Sequence, residues 1–186
     1  MSRWLVCAKC LLVVLSFSGC RSGTDSELVE AAKKGEKETV QELLANGADA
    51  RDNLFGVTAL MEAAAKGDTS IVRILQEHGA EVNVRDKNGA TPLIYAADKG
   101  HPEIVRILLR AGAEEDAATK VGWTPLLYAA YGGHDDVLKV LLNAGSDVHA
   151  VTKKGRSALD LAEEKGHAET LRILRAAGAQ EKSEKH

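Results

Sequence analysis

Cysteine and histidine are the residues here that could carry redox, nucleophilic or metal chemistry in a recognisable spacing. Cys7 and Cys10 form a Cys-x-x-Cys pair, the spacing at which two thiols close a redox disulfide or supply half of a zinc site. Cys20 stands by itself, with no cysteine after it in the chain of 186 residues. A disulfide, a metal or redox centre, or a covalent lipid could use it. Of the six histidines, His101, His134 and His167 recur every 33 residues, each just after a glycine. That step places them one structural unit apart, which suits a structural role at a helix start rather than a converging ligand set. His101-Pro102-Glu103 has one half of a zinc-deaminase motif, but the Pro-Cys-x-x-Cys half is missing. No phosphate-binding glycine loop, zinc-helix motif or nucleophile elbow occurs. No catalytic residue, cofactor site or metal site is therefore expected.

The cysteines take their meaning from what surrounds them. "MSRWLVCAKC" carries Arg3 and Lys9 and no acidic residue, and the apolar run "LLVVLSF" follows at 11–17, then Ser18 and Gly19. A spanning helix needs about 20 apolar residues, so this run is too short. A basic region, a short apolar region and small residues are the organisation of a secretory leader. Residues Phe17, Ser18, Gly19 and Cys20 resemble the lipobox of bacterial lipoproteins. The resemblance implies that 1–19 is removed and that Cys20 is acylated and becomes the N-terminus. Cys7 and Cys10 leave with the leader, Cys20 keeps no partner in its own chain, and the formal charge passes from −3 to −5. The resemblance implies a lipid-anchored, exported protein of the bacterial cell envelope facing the periplasm. Arg21 after the cysteine, rather than Asp, favours the outer membrane in a Gram-negative host. Residues 20–24 are expected to form a short linker of about 15 Å when extended.

Hydrophobic residues make up 45% of the chain and charged residues 27%, which allows a packed core and excludes a chain disordered by composition. Aromatics are only 4%, so the core must be aliphatic. No uninterrupted Lys/Arg block exceeds two residues, and nucleic acid is not an expected partner.

Beyond residue 24 the sequence repeats. Gly56, Gly89, Gly122 and Gly155 keep a step of 33; so do Gly67, Gly100, Gly133 and Gly166, and Gly79, Gly112, Gly145 and Gly178. Within one unit, Asp86–Ala117, Thr91 can cap a helix that Pro92 starts. Gly100 can end that helix, and Ile104, Val105, Ile107, Leu108 and Leu109 form the apolar face of a second. The unit resembles the ankyrin repeat, whose Thr-Pro-Leu hallmark stands at 91–93 and again at 124–126. The resemblance implies a mainly α solenoid of helix-turn-helix units joined by β-hairpin loops, about five units counting both caps. The domain runs over 25–179: an N-terminal cap at 25–50, repeats at about 51–84, 85–117 and 118–150, and a C-terminal cap at 151–179. A charged tail follows at 180–186. The His that commonly follows Thr-Pro-Leu in this family is replaced by Met61, Ile94, Leu127 and Asp160. Gly47 to Gly56 is one residue shorter than Gly79 to Gly89, so the first hairpin should be atypical.

Ankyrin stacks bind other proteins through hairpin tips and the exposed end of the first helix. On this chain the resemblance selects Leu54, Phe55, Val57 and Lys66, then Lys87, Asn88, Asp98 and Lys99. The next two units give Lys120, Val121, Trp123 and Tyr131, then Lys153, Lys154, Arg156 and Lys165. Lys87, Lys120 and Lys153 align one per unit with Lys154 and Arg156, a basic ridge suited either to an acidic partner or to solubilising the turns. Tyr95 and Tyr128 read as packing between units. Trp123 is expected to be at least half exposed and to frame a pocket with Tyr131, the alternative being that it folds over its own hairpin. The resulting expectation is a monomeric, non-enzymatic module that binds a protein at or near the membrane, held there through Cys20. A secreted effector, toxin or immunity component without lipid is the competing reading.

Overall fold

In the computed structural model, which describes residues 21–179, ten helices run in two rows. The inner row is α1 (Arg21–Lys34), α3 (Ala59–Lys66), α5 (Pro92–Asp98), α7 (Pro125–Gly132) and α9 (Ala158–Lys165). The outer row is α2 (Lys37–Ala45), α4 (Thr69–Glu77), α6 (Pro102–Arg110), α8 (Asp135–Ala144) and α10 (Ala168–Ala176). Each helix packs on its partner within a unit and on its counterpart in the next unit. The substantial contacts between helices are all between neighbours, which is the organisation of a stacked solenoid.

The inner helices are short and lie close together because alanine fills their contact faces. Ala63 and Ala64, Ala96 and Ala97, Ala129 and Ala130 are fully buried. The outer helices supply the bulk: Ile71, Val72 and Leu75, then Ile104, Val105 and Leu108, then Val137, Leu138 and Leu141. The end helices bury less. α6 buries four side chains, whereas α2 buries only Val40 and Leu44, and α10 only Thr170 and Leu174. Such polar ends stop the array from growing by self-association.

Helix starts follow the residues that mark them. Thr58, Thr91 and Thr124 each accept through Oγ1 a hydrogen bond from the backbone N–H three residues on, at 3.3–3.4 Å. Met61, Ile94 and Leu127 are buried in the position where the family commonly places histidine. Asp160 instead closes a capping box: its N–H donates to Ser157 Oγ and its carboxylate accepts from Ser157 N at 2.8 Å.

The 33-residue histidines tie units together. His101 Nε2–H donates to the carbonyl of Ala65 at 3.0 Å, His134 to that of Asp98 at 2.9 Å, and His167 to that of Tyr131 at 3.1 Å. A carbonyl can only accept, so in each ring Nε2 carries the proton. Glycine at the end of the inner helix is required by this arrangement. Gly100 has φ +74, and a Cβ there would lie 2.6 Å from the His134 ring.

The loops differ from a uniform set of hairpins. Only the first holds a strand pair among the described residues: β1 (Asn53–Leu54) and β2 (Val57–Thr58), antiparallel, with Leu54 opposite Val57. The missing residue leaves a two-residue turn, Phe55-Gly56, with φ +55 and +88. The second, third and fourth tips are tight turns around Asn88, Val121 and Lys154. In each, a buried Asp86, Thr119 or Thr152 accepts side-chain bonds from the turn's own N–H groups. These turns also bond to one another, Lys120 N to Asn88 O at 2.8 Å and Lys153 N to Val121 O at 3.0 Å.

Residues 21–24, expected as a linker, form the first turn of α1. Once Leu28, Val29, Ala31 and Ala32 are pinned in the core, extending the helix backwards adds a hydrogen bond per residue fixed. The leader, Cys20 and the tail from 180 lie outside the described residues.

Candidate protein-interaction surface

Tips and inner helices form one continuous face, on which residues 33 apart stand in columns. The tip column is Phe55, Asn88, Val121 and Lys154, and the column behind it runs Leu54, Lys87, Lys120 and Lys153. On the inner helices Glu62, Tyr95, Tyr128 and Leu161 align, as do Ala65, Asp98, Tyr131 and Glu164.

Phe55 is 85% exposed and is the one non-glycine residue with positive φ among the described residues. A Cβ-bearing residue in that region costs roughly 1–2 kcal/mol, and a bare phenyl ring adds unfavourable hydration. Val121, in the same column, is 58% exposed. Leu54 instead packs partly against the core beneath the first tip, and Val57 opposite it is half-buried.

Between the second and third tips lies a groove of about 330 Å³, lined by Asp86, Asn88, Tyr95, Asp98, Lys120, Val121 and Tyr128 among others. Tyr95 and Tyr128, read from sequence as packing alone, form its wall. Tyr95 donates its phenol proton to Asp86 Oδ2 at 3.1 Å. Burial, then the Asp86 charge and hydrogen bond, push the Tyr95 phenol up to about 12. Burial and the Asp98 and Asp86 charges raise Tyr128 as well. Asp98 holds Lys99 in an ion pair of 2.9 Å, which raises the Lys99 ammonium.

A second pocket, of about 320 Å³, lies between the third and fourth tips and is lined by Val121, Trp123, Thr152, Lys153, Lys154 and Arg156. Trp123 is partly buried, less exposed than its sequence position implies. It packs at 4.9 Å on the Tyr128 ring and meets Tyr131 edge to face at 5.4 Å, 83°. Because Trp123 and Tyr131 touch, they do not frame a pocket between them, and Tyr131 is covered from the other side by Lys165, 4.3 Å from its ring centroid. Arg156 does not belong to a free basic ridge: it is ion-paired with Glu164 and donates to the Asp160 carbonyl. Lys87, Lys120, Lys153 and Lys154 are exposed and take part in no ion pair among the described residues. Lys66 is exposed at the end of α3.

The face thus offers apolar tips, a tyrosine-walled groove and a lysine rim, which are groups for adhesion. The periodic histidines spend their ring N–H on backbone carbonyls of the preceding unit.

Comparison with known proteins agrees with this geometry. A family model described as ankyrin repeats, in three copies, matches residues 28–119 and 111–185. The chain is 43% identical over 68 residues to the 2-5A-dependent ribonuclease of Mus musculus, covering 36% of this chain and 9% of that protein. It is 38% identical over 76 residues to the mitochondrial disaggregase of Homo sapiens, covering 40% of this chain and 11% of that protein. The chain spans about a tenth of the relatives it matches.

Proposed function

Because the chain belongs to the ankyrin-repeat family, we propose that it is a non-catalytic protein-interaction module that a lipid on Cys20 tethers to the bacterial cell envelope. The face of tips and inner helices makes the contact, and the partner lies at or comes to the membrane surface. Phe55 carries this reading: an exposed aromatic ring on a left-handed backbone is doubly unfavourable in the free protein, and a partner that covers the ring recovers part of that cost. The first tip also belongs to the unit beside α1, whose first turn begins immediately after Cys20. Four helical residues span only about 6 Å, so the tether would hold this tip close to the lipid surface.

Two measurements test the reading. Mass spectrometry of the protein from its native host is expected to find a diacylglyceryl group on Cys20; an unmodified N-terminus elsewhere would remove the tether. A photo-crosslinking residue at position 55 in intact cells is expected to trap one discrete protein that the same residue at Arg106, on the opposite row of helices, does not trap. Equal labelling from both positions would refute the interaction face.

A further inference from the structure

The pocket between the third and fourth tips has a chemistry of its own. Its floor is apolar, made by the Trp123 ring and the exposed Val121 side chain. The Trp123 indole N–H donates no hydrogen bond among the described residues. Lys153 and Lys154 stand on the rim with no carboxylate partner there, and Lys120 lies one tip away. The chain as a whole is acidic, with a formal charge of −3. Lys153 and Lys154, which line this pocket with no carboxylate among its lining residues, are an electrostatic complement for negative charge on an acidic protein. Two backbone donors of the fourth tip and the Arg156 guanidinium are already committed. Lys153 N bonds Val121 O, Gly155 N bonds Thr152 O, and Arg156 is held by Glu164. A phosphate cradle needs backbone N–H groups or an arginine fork converging on one point, and this pocket presents dispersed ammonium groups instead.

We propose that this pocket seats an acidic segment of the partner protein, one apolar side chain lying on Trp123 and Val121 and carboxylates meeting Lys153 and Lys154. The proposal rests on the protein-interaction reading and gives the partner's surface its chemistry. An aromatic anchor inside a polar rim is a common anatomy of a protein interface.

The test uses the full chain with Trp4→Phe, which leaves Trp123 as the single tryptophan. The probe is the peptide acetyl-Glu-Glu-Phe-Glu-Glu-amide, with the Gln-for-Glu and Lys-for-Glu peptides as controls. Trp123 emission and the anisotropy of dye-labelled peptide report binding. The acidic peptide is expected to perturb Trp123 and to bind about tenfold more tightly than the Gln peptide. Affinity should fall between about 50 mM and about 500 mM salt. Lys153→Gln with Lys154→Gln is expected to lose that preference, both side chains being exposed and free of the fold. Lys153→Glu with Lys154→Glu should then prefer the Lys peptide. Equal affinity for the three peptides, or no response to either double variant, overturns the proposal. So does an anionic vesicle of phosphatidylglycerol, or a phosphoserine peptide, binding more tightly than the acidic peptide with the same lysine dependence. Crosslinking from position 55 separates the two readings: trapping unaffected by the lysine variants, with no peptide preference, sinks this pocket and leaves the interaction module standing.

Discussion

Replacing Phe55 by Asn should make the protein more stable while removing its interaction. The ring is 85% exposed, so its loss forfeits about 15% of a burial worth roughly 1.5–3 kcal/mol, under about 0.5 kcal/mol. Against this stands the backbone: φ is +55 at the first position of a two-residue turn, followed by Gly56 at +88. Asn-Gly is the pair such a turn prefers, because the short amide tolerates positive φ. Relieving roughly 1–2 kcal/mol of left-handed strain leaves a net gain of about 0.5–1.5 kcal/mol. In a chain of this size the melting temperature should rise by about 1–6 °C. Urea unfolding followed by far-UV circular dichroism measures it, as a higher midpoint at an unchanged slope. Val121→Asn is the control: it occupies the same column and is exposed, but its φ is not positive, so its unfolding free energy should move by no more than about 0.5 kcal/mol. A Phe55→Asn protein with a lower midpoint would refute the strain argument, and one that still crosslinks its partner normally would refute the role of the ring.

Leu108 is fully buried in α6, between α4 and α8 and against α5, so Leu108→Ala should cost about 2–5 kcal/mol in urea melts. A Cβ on Gly122 would lie 2.8 Å from the Lys153 backbone nitrogen, whereas one on Gly112 meets nothing within 4 Å. Both have positive φ, so Gly112→Ala should cost about 1–2 kcal/mol and Gly122→Ala at least about 1 kcal/mol more, with equal costs showing that the tips yield freely. Tyr95 supplies a pH dependence. Its phenol is raised from 10.0 to about 12, so the folded chain keeps a proton that the unfolded chain loses, and the stability present below pH 10 declines as pH rises from about 10 to about 12. Tyr95→Phe should flatten that decline in denaturant midpoints measured across the same interval.

Much of the architecture was legible because the repeat imposes a local signal at every unit. Threonine caps, Pro at the first helical position, and glycines at a step of 33 each specify a backbone conformation within a few residues of themselves. The structural role of His101, His134 and His167 followed from their spacing alone. The candidate surface was less legible, because its character depends on side chains from neighbouring units. Nothing near Arg156 in sequence order singles out Glu164, a turn and a half along α9, as its ion-pair partner. Trp123 read as a tip residue, but the Tyr128 and Tyr131 rings on α7 draw it down. Tyr95 and Tyr128 read as packing because they sit inside short helices; they do pack, Tyr95 on the core and Tyr128 on Trp123, but their column also walls the groove. The one signal that reached the first tip was a missing residue between Gly47 and Gly56. It was enough to expect an atypical hairpin there, but not the left-handed phenylalanine.

The histidine bonds have a direction. Each hooks the outer helix of one unit onto the inner helix of the unit before it, at the carbonyls of Ala65, Asp98 and Tyr131. The position is occupied by Asp68 in the first full repeat, and its carboxylate caps its own helix through Ser70 N and Ile71 N. The junction between the N-terminal cap and the first repeat therefore lacks the fastener that the three later junctions possess. Mechanically, the array is a zipper whose first tooth is loose. A load entering from the N-terminal end would peel α1 and α2 away before it reached the groove or the lysine pocket, so the amino-terminal pair would act as a fuse that parts while the rest of the stack stays latched.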